Sequence, residues 1–292
     1  MTLEQLRIFI AVAEREHLTQ AADALALTPS AVSAALRTLE QRYDTPLFNR
    51  VGRRIELNEA GRLFLTQARA TLAAARNAES MLAELAGLQR GTLSLHASQT
   101  IASYWLPPLL LQFRQRYPLI DLLLTIGNTS SVAQAVHQGA ADLGFIEGDI
   151  DDTDLSITTV AEDRIVLVAG PGHPWADSRK VGMQELLAAQ WIVREQGSGT
   201  RSAFESGLAA LGVDPGQLKI ALTLPSNEAV RAAVMAGRYV TVVSELVVAS
   251  QVQAGLLSKV NFDLPPRPFY MLHHEQRNSR AAQAFRQLLQ TN

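Results

Sequence analysis

The sequence contains no cysteine among its 292 residues. Disulfide bonds, thiolate metal sites and thiol-based redox sensing are therefore excluded for this chain. It also has no apolar run of the roughly 18–20 residues that a membrane span requires. Near the N-terminus, the charged residues Glu4, Arg7 and Glu14 interrupt the apolar ones, which is unlike a signal peptide. These absences predict a cytoplasmic protein without a membrane partner.

Excess charge and catalytic motifs are missing as well. The formal net charge is −2, which is unlike a nonspecific polycation. The six histidines show no metal-ligand spacing, and neither a Gly-x-Ser-x-Gly elbow nor a Walker sequence occurs. We therefore expect no enzyme activity, no cofactor and no metal. Positive charge is instead local, with five arginines from Arg37 to Arg54 against the acidic Glu40 and Asp44.

Residues 19–43 show the pattern of two short helices joined by a tight turn. Thr19 is placed to cap the first helix, and Thr28-Pro29 supplies an N-cap and a first-turn proline for the second. Helical spacing gives the second helix an apolar face formed by Val32, Ala35, Leu36, Leu39 and Tyr43. Its opposite face carries side chains suited to a DNA groove, namely Ser30, Ser33, Ala34, Arg37 and Gln41.

A short basic hairpin follows these helices. Residues 47–50 and 53–57 are predicted to form two strands that turn at Val51-Gly52. Three arginines on so short a ribbon suit the sugar-phosphate backbone of double-stranded DNA. The predicted DNA contacts are Thr28, Ser30, Ser33, Arg37, Gln41, Arg50, Arg53 and Arg54. The alternative is an ordinary helical hairpin whose polar face is only solvated.

Residues 59–88 contain no proline and much alanine, which predicts one long helix. Alternating spacings of four and three give it a coiled-coil seam formed by Phe64, Ala68, Thr71, Ala75, Ala78, Leu82 and Leu85. A protein with one DNA-binding helix commonly reads two half-sites through a two-fold axis, so we expect this helix to form a homodimer. The alternative is an amphipathic helix packed on its own domain.

From Gly91 onward, strands alternate with helices, which predicts an α/β domain with parallel or mixed sheets. Predicted strands cover residues 92–98, 120–126, 142–146, 163–169, 191–194, 218–224, 239–243 and 267–272. One predicted helix begins at Gln99-Thr100 and runs through Trp105 and Phe113. The other predicted helices cover residues 131–138, 200–211, 226–236 and 279–290. A chain that crosses between two α/β units and returns predicts a hinged domain at residues 91–292. Its first lobe would hold residues 91–161 and 267–292, and its second lobe residues 162–266.

Open α/β sheets bind ligands at the carboxyl ends of their strands, where helix N-termini converge. Two predicted helix starts meet this description, and the second is rich in glycine and hydroxyl groups, which suits an anion. The predicted effector contacts are Ser98, Gln99, Thr100, Asn128, Ser198, Gly199, Thr200 and Arg201. The alternative for residues 98–100, Asn128 and residues 197–200 is a plain loop with a helix cap. The nearby Glu147 would repel an anion unless its carboxylate is paired or turned away.

The N-terminal stretch resembles the winged helix-turn-helix of the LysR-type transcriptional regulators. The residues that carry this resemblance are Leu3, Phe9, Ala21-Ala22, Leu25, Ser30-Ala31-Val32-Ser33, Leu36, Leu39-Glu40, Leu47-Phe48, Arg50, Arg53 and Ala60-Gly61. One departure is Ala34, where members of the family often carry arginine. The resemblance implies a DNA-binding domain at residues 1–58 and a linker helix at 59–88 that forms dimers and often tetramers. It also implies contact with RNA polymerase if the protein is an activator.

The resemblance extends to the C-terminal part through residues 140–144, 171–174, 227–230 and 236–237. It implies a two-lobed effector domain similar to periplasmic binding proteins. Residues 194–201 resemble the branch of carbon-fixation and sulfur-assimilation regulators, whose effectors are small anions or phosphorylated metabolites. Two rival functions are an architectural DNA-binding protein without an effector, and a solute-binding protein or enzyme whose N-terminal helices only dimerise.

Overall fold

The computed structural model describes residues 1–51, 54–85, 91–148, 150, 154–177, 179–275 and 279–290. The chain divides into two compact units, one formed by Met1–Leu88 with Gln138–Ala140 and the other by the remaining residues. No helix within the described ranges combines the length and apolar character needed to cross a membrane. Each unit is built around cores of its own.

The first unit contains three short helices, a hairpin and a long helix. Its elements are α1 (Leu3–Arg15), α2 (Leu18–Ala24), α3 (Pro29–Arg42), β1 (Phe48–Val51), β2 (Arg54–Leu57) and α4 (Glu59–Leu85). The predicted cap of α3 is confirmed, because Thr28 Oγ1 accepts a hydrogen bond from the Ala31 amide at 3.2 Å. The cap predicted at Thr19 is wrong. His17 holds that position in extended backbone, and its Nδ1 accepts a hydrogen bond from the Gln20 amide.

The apolar faces of α1, α3 and α4 meet in one core. Phe9 is fully buried at its centre, with ring centroids 5.4 Å from Phe48 and 4.9 Å from Phe64. The predicted inward residues of α3 that are buried or half-buried are Val32, Ala35, Leu36 and Leu39. Tyr43 was expected with them, but it lies just beyond the last helical residue and is 53% exposed. Its ring is therefore largely in solvent and is not part of the buried core.

The predicted long helix is present as α4, with its last described residue at Leu85. Within the seam, Phe64 is half-buried and Ala68 is buried in the core of the first unit. Further along, Thr71, Ala78 and Leu82 are exposed. The first part of the seam therefore packs within the chain itself, and dimerisation through the rest stays a prediction.

The first sheet of the second unit has the strand order β4-β3-β5-β12-β6. β3 lies parallel to β4 and β5, whereas β12 runs antiparallel to β5 and β6. We call this sheet and its helices the first lobe. Its elements are β3 (Gly91–Ser98), α5 (Leu106–Arg116), β4 (Ile120–Gly127), α6 (Thr129–His137), β5 (Leu143–Glu147), β6 (Leu155–Asp163), β12 (Arg267–His274) and α11 (Arg280–Gln290).

The second sheet has the order β11-β7-β10-β8-β9 and forms the second lobe. It is mixed, with β8 parallel to β9 and β10, and β7 antiparallel to β10 and β11. Buried apolar residues form a core on each side of this sheet. Its elements are β7 (Ile165–Ala169), α7 (Met183–Ala188), β8 (Gln190–Arg194), α8 (Gly199–Ala210), β9 (Lys219–Leu224), α9 (Asn227–Met235), β10 (Val240–Ser244), α10 (Glu245–Gln253) and β11 (Ser258–Lys259).

The chain passes between the two sheets twice. β6 ends at Asp163 in the first sheet and β7 begins at Ile165 in the second, so the first crossing is at Arg164. The return lies between β11 and β12, at residues 260–266. The sequence pattern does not predict β6, because this edge strand buries only its two end residues, Leu155 and Asp163, and its side chains form no apolar run.

The helix predicted to begin at Gln99-Thr100 has an irregular first part. Residues Ile101–Trp105 form a π-helical turn before α5, with the Leu106 amide bonded to the Ile101 carbonyl five residues back. Pro107 and Pro108 follow and have no amide hydrogen to donate into the preceding turn. The widened turn sets the position of this helix start at the end of β3.

His273, near the end of β12, gives the stability of the protein a predicted pH dependence. Its Nδ1 is buried without a hydrogen-bond partner among the described residues. Burial, together with the nearby Arg286, lowers the pKa of His273 despite the opposing charge of Glu275. The folded state therefore binds a proton here less readily than the unfolded chain, so the free energy of unfolding should fall as pH drops below about 6.5.

We predict that His273→Phe flattens this dependence between pH 7 and pH 5. Urea unfolding followed by tryptophan fluorescence measures it, because all three tryptophans lie in the second unit. His137→Gln, at an exposed histidine of α6, is the matched control. A pH dependence in His273→Phe as steep as that of the unaltered chain would contradict the assignment.

Candidate functional site

The exposed face of α3 brings the predicted recognition residues together. Ser30, Ala34, Arg37 and Gln41 are exposed on it, and Ser33 is half-buried. Thr28 and Ser30 share a hydrogen bond between their hydroxyl oxygens at 3.0 Å, which orders the start of the helix. Within the described residues, Arg37 has no ion-pair partner. Its guanidinium is thus available for a phosphate or a base edge.

The hairpin after α3 contains the three predicted backbone-contacting arginines. Arg50 and Arg54 belong to β1 and β2, and the register pairs Arg50 with Ile55 and Val51 with Arg54. The side chains of Arg50 and Arg54, and all of Arg53 and the Gly52 turn, lie outside the described residues. The hairpin is confirmed as an element, and the roles of its arginines stay predictions.

Glu40 fixes the position of the hairpin relative to α3. Its Oε1 accepts hydrogen bonds from the backbone amides of Leu47 at 2.7 Å and Phe48 at 3.3 Å. Judged by its charge, Glu40 is only a negative residue among the arginines, so charge alone does not predict that Glu40 holds the hairpin to α3. The signal available in the sequence is its place on the inner edge of the helix, next to Leu36 and Leu39.

The second candidate site lies between the two lobes, at the carboxyl ends of strands from both sheets. We call it the effector cleft. β3 ends at Ser98, and β5 at Glu147 in the first lobe, whereas β8 ends at Arg194 in the second. The structure buries five of the predicted residues here, namely Gly199 and the hydroxyl residues Ser98, Thr100, Ser198 and Thr200, each of the four 2% exposed or less. The fold therefore brings the two predicted helix starts together.

Asn227, the first residue of α9, makes the most extensive contacts across the cleft. Its amide nitrogen Nδ2 donates to Thr100 Oγ1 at 3.1 Å, and its backbone amide donates to Gln99 Oε1 at 2.6 Å. Its Oδ1 accepts a hydrogen bond from Arg194 at 2.5 Å. Asn227 is fully buried. Its neighbour Ser226 caps α9, accepting from the Ala229 amide at 3.0 Å.

A second interlobe contact involves Asn128 and Glu195. Asn128 caps α6 through its Oδ1, which accepts a hydrogen bond from the Ser131 amide at 3.0 Å, while its Nδ2 donates to Glu195 at 3.3 Å. Arg194 also donates two hydrogen bonds to Glu195, at 2.8 and 2.9 Å. Burial alone would raise the pKa of Glu195, but the hydrogen bonds from Arg194 and Asn128 hold it below its usual value. Asn128 is therefore both a helix cap and a bridge between the lobes.

Glu147 lies between the two predicted parts of the effector site. Its side chain is buried and accepts a hydrogen bond from the Ser98 hydroxyl. Its Oε1 lies 3.8 Å from a guanidinium nitrogen of Arg267. The carboxylate is paired rather than turned away. Ser98 consequently donates its hydrogen to Glu147, so an anion, which can only accept, could bind the Ser98 hydroxyl only by displacing that contact.

The start of α8 packs directly against the first lobe. A Cβ atom on Gly199 would overlap the Glu147 carbonyl oxygen, so only glycine allows this approach. Ser198 precedes the helix without a capping bond from its side chain. Arg201, in contrast, already pairs with Glu205 at 2.7 Å and donates to the Arg194 carbonyl at 3.2 Å. The helix start can offer backbone amides and hydroxyls, while the guanidinium of Arg201 is occupied.

Two family models match the chain. The model described as a bacterial regulatory helix-turn-helix protein of the lysR family matches residues 3–62. The model described as the LysR substrate binding domain matches residues 86–292, which is more than half of the chain. The matches cover both candidate sites.

Similar proteins include named regulators. The HTH-type transcriptional regulator YeiE of Escherichia coli is 39% identical over 280 residues, covering 95% of this chain and 93% of YeiE. A probable RuBisCO transcriptional regulator of Trichormus variabilis is 34% identical over 292 residues, covering 98% of this chain and 87% of that protein. The second name agrees with the carbon-fixation branch that residues 194–201 resemble.

Solved structures share the fold. Full-length CbnR complexed with its target DNA superposes with a TM-score of 0.71 at 21% identity, covering 100% of this chain and 99% of CbnR. The regulatory domain of CcmR from Synechocystis PCC6803, in complex with 2-PG, gives a TM-score of 0.63 at 27% identity, covering 69% of this chain and 97% of that domain. Both likenesses support the two-lobed α/β architecture.

The contacts of Asn227 generate a stability prediction. Asn227→Ala should lower the free energy of unfolding of the second unit by about 1–3 kcal/mol, because Arg194 and Thr100 lose buried hydrogen-bond partners. Urea unfolding followed by tryptophan fluorescence measures the change. Asn49→Ala, at an exposed asparagine of β1, is the matched control. If both variants unfold like the unaltered chain, Asn227 does not hold the lobes together.

Proposed function

This chain belongs to the LysR family of transcriptional regulators, and we propose that it binds a two-part DNA operator as a homodimer or homotetramer in the bacterial cytoplasm. A small oxyanion or carboxylate bound in the effector cleft would change its DNA binding or its ability to activate transcription. An activator would do so through contact with RNA polymerase. The family consists of regulators rather than enzymes.

The observation that carries the DNA-binding proposal is Arg37 on the exposed face of α3, which has no ion-pair partner in the part of the chain that the structure describes. Small hydroxyls flank it, so the helix backbone can approach a major groove closely. Ala34 adds no contact of its own, which leaves Arg37 as the one arginine on this face between Ser30 and Gln41. CbnR, which shares this fold, has been solved in a complex with its target DNA, and this supports DNA binding by the present chain. Arg50, Arg53 and Arg54 would bind the flanking phosphates.

The homodimer is supported by apolar surface that a single chain leaves exposed. Leu82 in the second half of the α4 seam is 67% exposed. The edge strands β4 and β9 expose Leu123 and Leu222, at 57% and 49%. A second copy covering these surfaces would also place two α3 helices at two half-sites. Sedimentation of the intact chain distinguishes a dimer from a tetramer.

Two buried threonines support an anionic effector. Thr100 Oγ1 accepts a hydrogen bond from Asn227, and Thr200 Oγ1 accepts one from Arg267. A hydroxyl that accepts from the protein still has its own hydrogen to donate. The hydroxyl hydrogens of Thr100 and Thr200 would therefore donate to an oxyanion, together with the backbone amides of the first turn of α8. The solved complex of CcmR with 2-PG supports a small ligand at this kind of domain.

The direct bonds between the lobes also favour one rival. Asn227 and Asn128 connect the two lobes through protein atoms alone, so the cleft is held together without a ligand. An architectural DNA-binding protein with no effector would have this property. The two functions differ in whether a small anion alters stability and DNA binding.

For DNA binding, we predict that Arg37→Ala combined with Ser33→Ala weakens operator binding about tenfold or more. Loss of one phosphate contact should also lower the salt dependence of binding by about one unit of slope. Fluorescence anisotropy with an operator selected from random duplexes measures both quantities. Arg7→Ala, at an exposed arginine of α1, is the matched control. Unchanged affinity in the double variant would remove α3 as the recognition helix.

For the effector, we predict that one of sulfite, sulfate, phosphate or a sugar phosphate raises the thermal stability in a saturable way. A ligand at one hundred times its dissociation constant adds about 2.7 kcal/mol to folding stability. Thr200→Val should abolish the shift and Thr200→Ser should keep it, because only serine retains the hydroxyl. Thr158→Val, at an exposed threonine of β6, is the matched control. The absence of any shift across the panel would favour the architectural rival.

A further inference from the structure

Arg267 lies where the chain returns from the second lobe to the first. It is the first residue of β12 and is 4% exposed. A buried guanidinium is costly unless its donors are paired, and here they have several partners. Those partners lie in two directions, toward the crossing strands and toward the effector cleft.

Toward the crossing strands, Arg267 is bonded to Asp163, the last residue of β6. Its Nε donates to Asp163 Oδ2 at 2.9 Å, and a terminal nitrogen donates to the same oxygen at 2.7 Å. Asp163 Oδ1 accepts a further hydrogen bond at 2.7 Å from Ser244, at the end of β10 in the second lobe. The cluster therefore connects both crossing segments with the second sheet. Burial raises the pKa of Asp163, against the opposing influence of Arg267.

The first crossing is held to the second lobe by a backbone bond as well. The amide of Glu245, which follows Ser244, donates to the carbonyl of Arg164 at 2.8 Å. Ser244 also caps α10 by accepting from the Leu246 amide at 3.2 Å. A rotation of one lobe against the other would have to strain or break the bonds around Arg164. We call this crossing segment at Arg164, with its bonds to the second lobe, the hinge.

Toward the effector cleft, the remaining terminal nitrogen of Arg267 donates to Thr200 Oγ1 at 3.1 Å. The terminal nitrogen that donates to Asp163 also lies 3.8 Å from Glu147 Oε1. One planar group thus contacts a residue at the start of α8 in the second lobe and a residue at the end of β5 in the first. The donor from Arg267 turns the Thr200 hydroxyl hydrogen away from itself.

We infer that Arg267 is the positioning residue that couples the effector cleft to the hinge. It orients the Thr200 hydroxyl for the effector and connects any movement of Thr200 to Asp163 and Ser244 at the crossing strands. This inference rests on the proposed function, because it takes Thr200 as an effector contact. Ligand binding at Thr200 would change the bonds at Arg164 through one rigid guanidinium.

The planar fork of arginine is what this role requires. Lysine has a single ammonium on a flexible stem and cannot hold Asp163 and Thr200 in the same fixed geometry. Arg267→Lys therefore keeps the charge and removes the coupling. Ser244→Ala is the complementary change, because it weakens the hinge side of the cluster and leaves the bond between Arg267 and Thr200 in place.

The absence of cysteine allows the coupling to be measured directly in the full-length chain. Thr158→Cys in the first lobe and Ala254→Cys in the second, both at exposed positions, accept spin labels without competing thiols. Distances between the labels are measured with and without saturating inorganic phosphate, sulfate or sulfite, and the affinity for each anion is measured by calorimetry. Arg116→Lys and Ser250→Ala, at exposed positions in α5 and α10, are the matched controls.

We expect Arg267→Lys to bind the anion at least tenfold more weakly and to give a broader distance distribution. Ser244→Ala should bind it within about twofold of the unaltered affinity but lose half or more of the anion-induced distance change. A purely structural role would instead lower stability in both variants without separating affinity from distance change. Thermal unfolding of each variant without ligand shows whether it is folded.

The outcomes separate the inference from the proposed function. If an anion binds and shifts the distance equally in the unaltered chain, Arg267→Lys and Ser244→Ala, the coupling role of Arg267 is overturned while the effector proposal stands. If no anion binds the unaltered chain, the effector proposal fails and the inference fails with it. Reduced affinity in Arg267→Lys with an uncoupled response in Ser244→Ala supports both.

Discussion

The effector cleft depends on the buried side chain of Asn227. Its polar atoms connect Arg194 in its own lobe with Thr100 in the other, and its backbone amide binds Gln99. A buried amide without partners costs about 1–3 kcal/mol, so these bonds specify one arrangement of the lobes. Apolar contact alone would tolerate sliding, because it has no preferred direction. The geometry of the candidate site therefore follows from polar pairing across the cleft.

Gly199 adds a constraint of space to this polar pairing. The start of α8 can approach Glu147 only because Gly199 has no side chain. That approach brings Thr200 near Arg267, whose other bonds reach Asp163. The first turn of the helix, the buried carboxylate of Glu147 and the crossing strand are consequently adjacent. A change at any one of them alters the surroundings of the others.

Local signals in the sequence predict the elements of the first unit, but they do not predict the contacts that form the effector cleft. Thr28-Pro29 and the apolar spacing after it predict α3, whereas the choice of His17 over Thr19 as a cap depends on where the preceding turn ends. The hydroxyl residues of the cleft could be predicted because the ends of strands can be recognised in the sequence. The pair of Asp163 and Arg267 is separated by 104 positions, and the register of β6 against β12 brings it together. Residue types do not reveal that register.

The two candidate sites are prepared for negative charge in different ways. On α3, Arg37 has no ion-pair partner among the described residues, so it can bind a phosphate without breaking a bond. In the cleft, Arg194, Arg201 and Arg267 are each paired with a carboxylate. A ligand there would be bound by oriented hydroxyls and amides in a buried setting, where salt screens weakly. DNA binding should therefore respond strongly to ionic strength, and effector binding should respond to the hydrogen-bond geometry that Arg267 and Asn227 maintain.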